Sequence, residues 1–358
     1  MSANYWNSSQ RLHWQFTREE LSEKRRNIEV LENQLMAAGA LPLHLKDIEY
    51  DYNMRIYLHN LVHKLGRRLG LRAIPITTAE VYLSRFLLNV SLKEINIYLL
   101  VTTCIYLACK VEECPHHIRS ISNEARNLWP QYIPHDLTKL AEFEFYLIEE
   151  MENYLIIHNP YRSLGQIRNI LASTDFAHID NYNSNNGMNN IDGGNNGNYR
   201  DGYKSYGDLS SGLDPSNGKL YDGVNCLILH QDELQVSWSI INDSYITDLS
   251  LIFPPHIISL GAIYIAVVLR CSAMMNDRAS SAILRRAGVD LPNKPGTTNT
   301  GPNIEGRMNI LTNFMGISNI DLNEVIEAVQ EILTLYEVWE AYDENKLRKK
   351  VQKLFMNR

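Results

Sequence analysis

Two short stretches hold charged side chains where chemistry could occur. Lys110 heads KVEE, 110–113, directly after a fully apolar run, and Glu142 and Glu144 stand in EFEFYLIEEMENYL, 142–155. A cation at the C-terminal end of a buried helix either complements that helix's free carbonyls or reaches the backbone carbonyls of a second protein. Glu142 and Glu144 are two residues apart, so on a helix they point to different faces and make a poor general acid/base pair. Glu144 sits among Phe145, Ile148 and Leu155, three residues available for a core. It reads either as a solvated acid on a polar face or as part of a binding site. Further along, Trp238, Asn242 and Tyr245 are spaced i, i+4 and i+7 on one helical face, with Asp243 beside them. That face is either an exposed groove for a partner or a buried Trp with Asn capping a turn.

Other chemistries find no footing. The glycines cluster in low-complexity sequence, where a G-x-G match means little, and neither G-x-S-x-G nor H-E-x-x-H occurs. The pair His116-His117 has no Cys or His partner at metal spacing, so no metal site is expected. The five cysteines, 104, 109, 114, 226 and 271, are odd in number and lack C-x-x-C, as free buried thiols in a reducing compartment would. No cofactor is implied. An interaction protein fits better than an enzyme.

The elements that must carry these residues are helices. TREELSEKRRNIEVLENQLMAA, 17–38, opens with Thr17 and has Glu20 at capping-box spacing; Gly39 is its expected stop. Its apolar stripe (Leu21, Ile28, Leu31, Leu35) is thin, which predicts a helix lying on a surface or on a partner. Helical patterns continue over 47–155, and INIYLLVTTCIYLAC, 95–109, is apolar on every side, so other helices must surround it. IISLGAIYIAVVL, 257–269, has the same character, preceded by a helix over 229–243 and followed by one over 321–342 opened by Asp321. No period-2 alternation argues for strands. Residues 173–223 hold 10 Asn and 9 Gly and cannot bury enough apolar surface to fold, which predicts a disordered insertion; 288–306 is a second polar loop.

The 358 residues are 45% hydrophobic and 21% charged, with a net charge of −7. That is ample for two cores, and it argues against nucleic acid as the main ligand. No secretory signal and no membrane-length apolar run appears, so a soluble intracellular protein is expected. With the insertions set aside the chain repeats: Tyr106-Leu107-Ala108 in one central helix matches Tyr264-Ile265-Ala266 in the other, and each is preceded by an amphipathic helix with an aromatic cluster.

On these residues the chain resembles the cyclins. KVEE follows the central helix as in a first cyclin box, and LAEFEFYLIEEMENYLIIHNPYRSL, 140–164, is similar to the transcriptional cyclins. NYWNSSQRLHW (4–14), VYLSRF (81–86), SWSIINDSYITDLSLIFPP (237–255) and ILTLYEVWEAYDE (332–344) resemble the C type within that group, in a form that looks fungal. The resemblance implies an all-α fold: tandem five-helix cyclin boxes with extra N- and C-terminal helices. Its domains would be an N-terminal segment and helix (1–44), a first box (45–160), a second box carrying both insertions (161–344) and a basic C-terminal tail (345–358).

The resemblance also implies a regulatory subunit without chemistry of its own. It would bind a cyclin-dependent kinase of the Mediator complex in the nucleus, with no direct contact to nucleic acid or membrane, and regulate RNA polymerase II transcription, as activator or repressor. Such a subunit holds the kinase αC helix inward, which sets the kinase's own Lys–Glu pair, and so favours the active state. The family's Lys and Glu map to Lys110 and Glu144, with Glu142 as second choice. Glu112 and Glu113 are candidates for kinase arginines. Tyr5, Trp6 and the 17–38 helix would add a docking surface, and the groove of Trp238, Asn242, Asp243 and Tyr245 would take another Mediator kinase-module subunit. MRIYL, 54–58, resembles the substrate-docking stripe of cell-cycle cyclins, but Ser84 stands where those have the aspartate that pairs with the arginine, and Leu61 replaces a tryptophan. Met54 to Leu58 are therefore expected in the core. The alternatives are a transcriptional cyclin of the H, K or T type, or a two-box transcription factor of the TFIIB kind, which would need a basic surface and a zinc ribbon.

Overall fold

The computed structural model describes residues 4–172, 227–274, 304–318 and 320–355. The predicted insertion at 173–223 and most of the polar loop at 288–306 lie outside the described residues; helix begins at Ile304, just inside the predicted end of that loop. Among the described residues there are helices and short 3-10 turns and no strand.

A short helix α1 (Ser9–His13) and the 20-residue α2 (Arg18–Ala37) precede a first bundle of α3 (Tyr52–Arg68), α4 (Ala73–Phe86), α5 (Ile97–Val111), α6 (Ile118–Leu128) and α7 (Leu137–Glu150). The second bundle is α8 (Pro160–Ala172), α9 (Gln231–Ser244), the one-turn α10 (Leu249–Ile252), α11 (Pro255–Met274), α12 (Ile304–Ile317) and α13 (Leu322–Glu340); α14 (Glu344–Gln352) closes the chain.

The two all-round apolar runs are the two axes. α5 packs against α3, α4, α6 and α7, and α11 against α8, α9, α12 and α13. Every α5 residue from Ile97 to Cys109 is buried except Tyr106, which is half-buried. A helix with no polar stripe has nowhere else to go, since each buried aliphatic side chain contributes roughly 1.5–3 kcal/mol. Asn96 starts α5 by accepting from the N–H groups of Tyr98 and Leu99.

α2 has the capping box read in its sequence, Thr17 with Glu20, and Gly39 follows it in the left-handed region at φ 74°. Its thin stripe is only partly used: Leu21 is buried, Ile28 and Leu35 are half-buried and Leu31 stays exposed, while Met36, outside the stripe, is buried. Ion pairs do the rest. Glu32 accepts from Lys93 at 2.7 Å in the first bundle, Arg18 reaches Glu331 at 2.8 Å in the second, and Arg25 pairs with Asp248. Thus α2 straps the two bundles together. Met54 to Leu58 are buried as expected, and Arg55 finds its carboxylate in the second bundle, at Asp248, 2.9 Å away.

Within the basic segment, residues 345–355 pack on the fold. Leu347, Val351 and Leu354 bury against the first bundle, turning the lysines of α14 outward.

Candidate functional site

The last turn of α5 presents Lys110 where the buried axis reaches the surface. Its ammonium donates to Glu144 Oε1 at 2.7 Å and Oε2 at 2.9 Å, and lies 4.2 Å from the centre of the Tyr106 ring one turn back. Partial burial pulls the lysine pKa down, but its bonds to Glu144 and Tyr106 outweigh that and hold it above the ordinary value. The Lys110 side chain is still 41% exposed and that of Glu144 11%. An ammonium has three N–H groups and a carboxylate about four lone-pair sites, so both retain capacity for a second partner.

Helical spacing explains why Glu144 and not Glu142 meets Lys110. Glu144 lies four residues after Leu140 and three before Leu147, both core residues, so it shares the inner face of α7. Glu142 is rotated outward and pairs on the surface with Lys139 at 2.8 Å. Phe145, expected in the core, is 73% exposed beside Glu144; the core positions of that turn are filled by Leu140 and Leu147, while Phe143 and Tyr146 pack on Phe86. Glu112 turns inward and accepts from the Thr78 hydroxyl at 2.7 Å. Glu113 stands exposed in the left-handed region, φ 53°, at the turn that ends α5. A non-glycine residue there costs on the order of 1 kcal/mol.

At the N-terminus, Tyr5 donates to Gln15 Oε1 at 2.9 Å and packs edge-on to His158; burial pushes its phenol up to about 12. Trp6 lies tilted on His256 beneath the Arg11 guanidinium and remains half exposed. The segment is held by the body of the protein itself: Gln10 accepts from His158 N–H, and Gln15 donates to Ile252 O at 3.0 Å.

In the second bundle, Trp238 stacks on Tyr161 with centroids 4.3 Å apart, and the Tyr161 hydroxyl bonds Asn242. Together with Leu164 and Arg168 they line an open cleft of about 590 Å³ between α8 and α9. The predicted foursome does not stay together. Tyr245 caps α9, where the chain turns inward; it is buried and donates to Asn159 at 2.7 Å. Asp243, one residue round the helix from Asn242, accepts from Tyr336 at 2.9 Å, and burial pushes its carboxyl up. Only Trp238 and Asn242 face the cleft.

Residues 23–156 match the family described as the cyclin N-terminal domain. A Debaryomyces hansenii protein named RNA polymerase II holoenzyme cyclin-like subunit is 44% identical over 391 aligned positions, spanning 100% of this chain and 99% of that one. The Saccharomyces cerevisiae protein of the same name is 36% identical, over 99% of this chain and 98% of its own. The chain belongs to the cyclin family. Solved structures agree on the fold: a chain of the yeast RNA polymerase II CTD kinase CTDK-1 complex superposes with a TM-score of 0.52 at 13% identity, covering 96% of this cyclin and 83% of its own length. A chain of the Chaetomium thermophilum CAK complex superposes at 0.50 and 13% identity, covering 94% and 93%.

Sequence reasoning missed three features of this cyclin. Phe145 at the surface could have been found by placing Leu140, Glu144 and Leu147 on one face. The ion pair Arg307–Glu233, both chelating bonds 2.7 Å, joins α12 to α9 across a sequence distance no local pattern spans. The third is the spacing His59-x-x-x-His63, two imidazoles one helical turn apart.

Proposed function

We propose that this cyclin is the regulatory subunit of a cyclin-dependent kinase of the Mediator complex and acts in the nucleus on RNA polymerase II transcription. The observation that carries the reading is the Lys110–Glu144 pair at the end of the central helix, its lysine exposed and its glutamate largely buried, with Phe145 uncovered beside it. The pair is held in place before any partner arrives, so little ordering is left to be done on binding. Lys110 donates to kinase backbone carbonyls and Glu144 accepts from kinase N–H groups, as charge-assisted bonds. Glu113, free of the fold, faces kinase arginines; Glu112, held by Thr78, is the weaker candidate, and Glu142 contributes at the rim. Tyr5 and Trp6 form a second, aromatic contact. The names of the full-length relatives support the link to RNA polymerase II.

The cleft lined by Trp238 and Asn242 fits a second role, docking another subunit of the Mediator kinase module. The test is capture of the Mediator-associated kinase by purified variants. Lys110→Ala and Glu144→Ala weaken binding, with the thermal transition nearly unchanged. Full affinity with both replaced would overturn the assignment, and recovery of a different transcriptional kinase would favour an H, K or T type.

A further inference from the structure

We propose that His59, His63 and Glu80 form a binding site for a divalent transition metal, zinc foremost, where the first bundle meets the second. His59 and His63 sit one turn apart on α3, their ring centroids 4.2 Å apart, and Glu80 enters from the middle of α4. One ligand atom from each lies within 4.8 Å of the other two. Glu80 Oε1 is 2.5 Å from His59 Nδ1 and 3.4 Å from His63 Nε2.

These short distances are not aligned hydrogen bonds. His59 Nδ1, His63 Nε2 and both Glu80 oxygens are buried with no hydrogen-bond partner. A protonated His59 or His63 can pair with Glu80 as a charge, but no N–H is aligned on either carboxylate oxygen, so the cost of burying the three groups is only partly offset. A cation at the point of convergence satisfies all three. In a tetrahedral zinc site, with bonds of about 2.0–2.1 Å, neighbouring ligand atoms stand roughly 3.3 Å apart. The His63–Glu80 separation already has that value, and the His59–Glu80 separation needs to widen by less than 1 Å. A plain ion pair needs only one protonated histidine beside the carboxylate; here two imidazoles converge on the same oxygen, Glu80 Oε1, and neither aligns an N–H on it.

The donor set of two imidazoles and one carboxylate suits zinc and leaves a fourth position open. The His63 side chain is 23% exposed, so ion and water enter from its side. The second bundle closes the other side. Trp339 of α13 packs edge-on to His59 at 5.9 Å, and Asp243 of α9 is near enough to act on His59 electrostatically. A bound ion would pin α3 to α4 directly beneath the junction of the boxes.

The test uses the tag-free full chain, stripped with chelator and titrated with zinc, with cobalt as the spectroscopic probe. The expected result is one zinc per chain and cobalt bands of nitrogen and oxygen coordination, without the near-ultraviolet absorption of thiolate ligands. Glu80→Gln and His63→Gln should each weaken zinc binding on the order of 100-fold or more. His63, the most exposed of the three, tolerates replacement even should Glu80→Gln fail to fold. Absence of saturable binding, thiolate coordination through the cysteines, or unchanged affinity in His63→Gln would each overturn the site.

Discussion

Each bundle contains one carboxylate held by both oxygens against a cation, and the two pairs differ in what surrounds them. Lys110–Glu144 joins α5 to α7, and Arg307–Glu233 joins α12 to α9, with bonds between 2.7 and 2.9 Å in both. Arg307 and Glu233, however, are sealed at 9% and 1% exposure, and further partners come from the fold itself: Glu233 also accepts from His230 N–H at 2.7 Å, and Arg307 reaches Ile228 O. Lys110 keeps a face to solvent. A cation–carboxylate pair is thus structural where it is sealed and available where one partner surfaces. Distance alone does not separate the two cases.

The sharpest way to break this comparison is in the second bundle. Arg307→Ala leaves Glu233 buried without its cation, which should cost about 3–5 kcal/mol in urea unfolding. If it cost no more than Lys110→Ala, burial would not be what distinguishes the pairs.

Asp248 tests the seam between the boxes and comes next in size. Burial pushes its carboxyl up, but Arg55 and Arg25 outweigh burial and hold it below the usual range. Asp248→Asn orphans the buried Arg55 guanidinium, with an expected loss of about 2–3 kcal/mol at neutral pH. Because the folded-state pKa is depressed, the stabilisation is present in full above the ordinary aspartate pKa of about 4 and is lost as pH falls through the lower folded value. Stability curves of the wild type and Asp248→Asn should therefore converge in acid. Parallel curves would remove Asp248 as the titrating group.

The contrast also shows what a sequence can and cannot disclose. The two axial helices were legible because a run that is apolar all round admits one placement. The strap α2 was legible as a capped helix but not as a strap, since its partners Lys93, Asp248 and Glu331 come from three distant segments. The pairing of Lys110 with Glu144 is legible only through resemblance, since spacing alone leaves Glu144 open between a solvated acid and part of a binding site. The Leu347, Val351, Leu354 stripe was masked by the lysines around it. Tyr245 fails for the opposite reason: seven residues after Trp238 it shares a helical face only if the helix continues, and α9 ends at Ser244.

Smaller in the isolated chain, and larger in the complex, is Lys110→Ala. A cation 41% exposed should cost at most about 1 kcal/mol in thermal or urea unfolding. The kinase affinity of the same variant should fall by tenfold or more, about 1.4 kcal/mol. A stability loss equal to that of Arg307→Ala would place Lys110 with the structural pairs.

Phe145→Ser has the smallest expected effect on folding. An aromatic ring 73% exposed contributes little to the core, so the change should stay within about 0.5 kcal/mol. Uncovered next to a half-free ion pair, it is the kind of side chain that anchors an interface: large, apolar and already positioned by its helix. Capture of the kinase should therefore weaken although nothing in the fold does. If kinase capture is unchanged, the exposed aromatic has no part in the contact, and the binding surface must extend from Lys110 toward Glu113 instead.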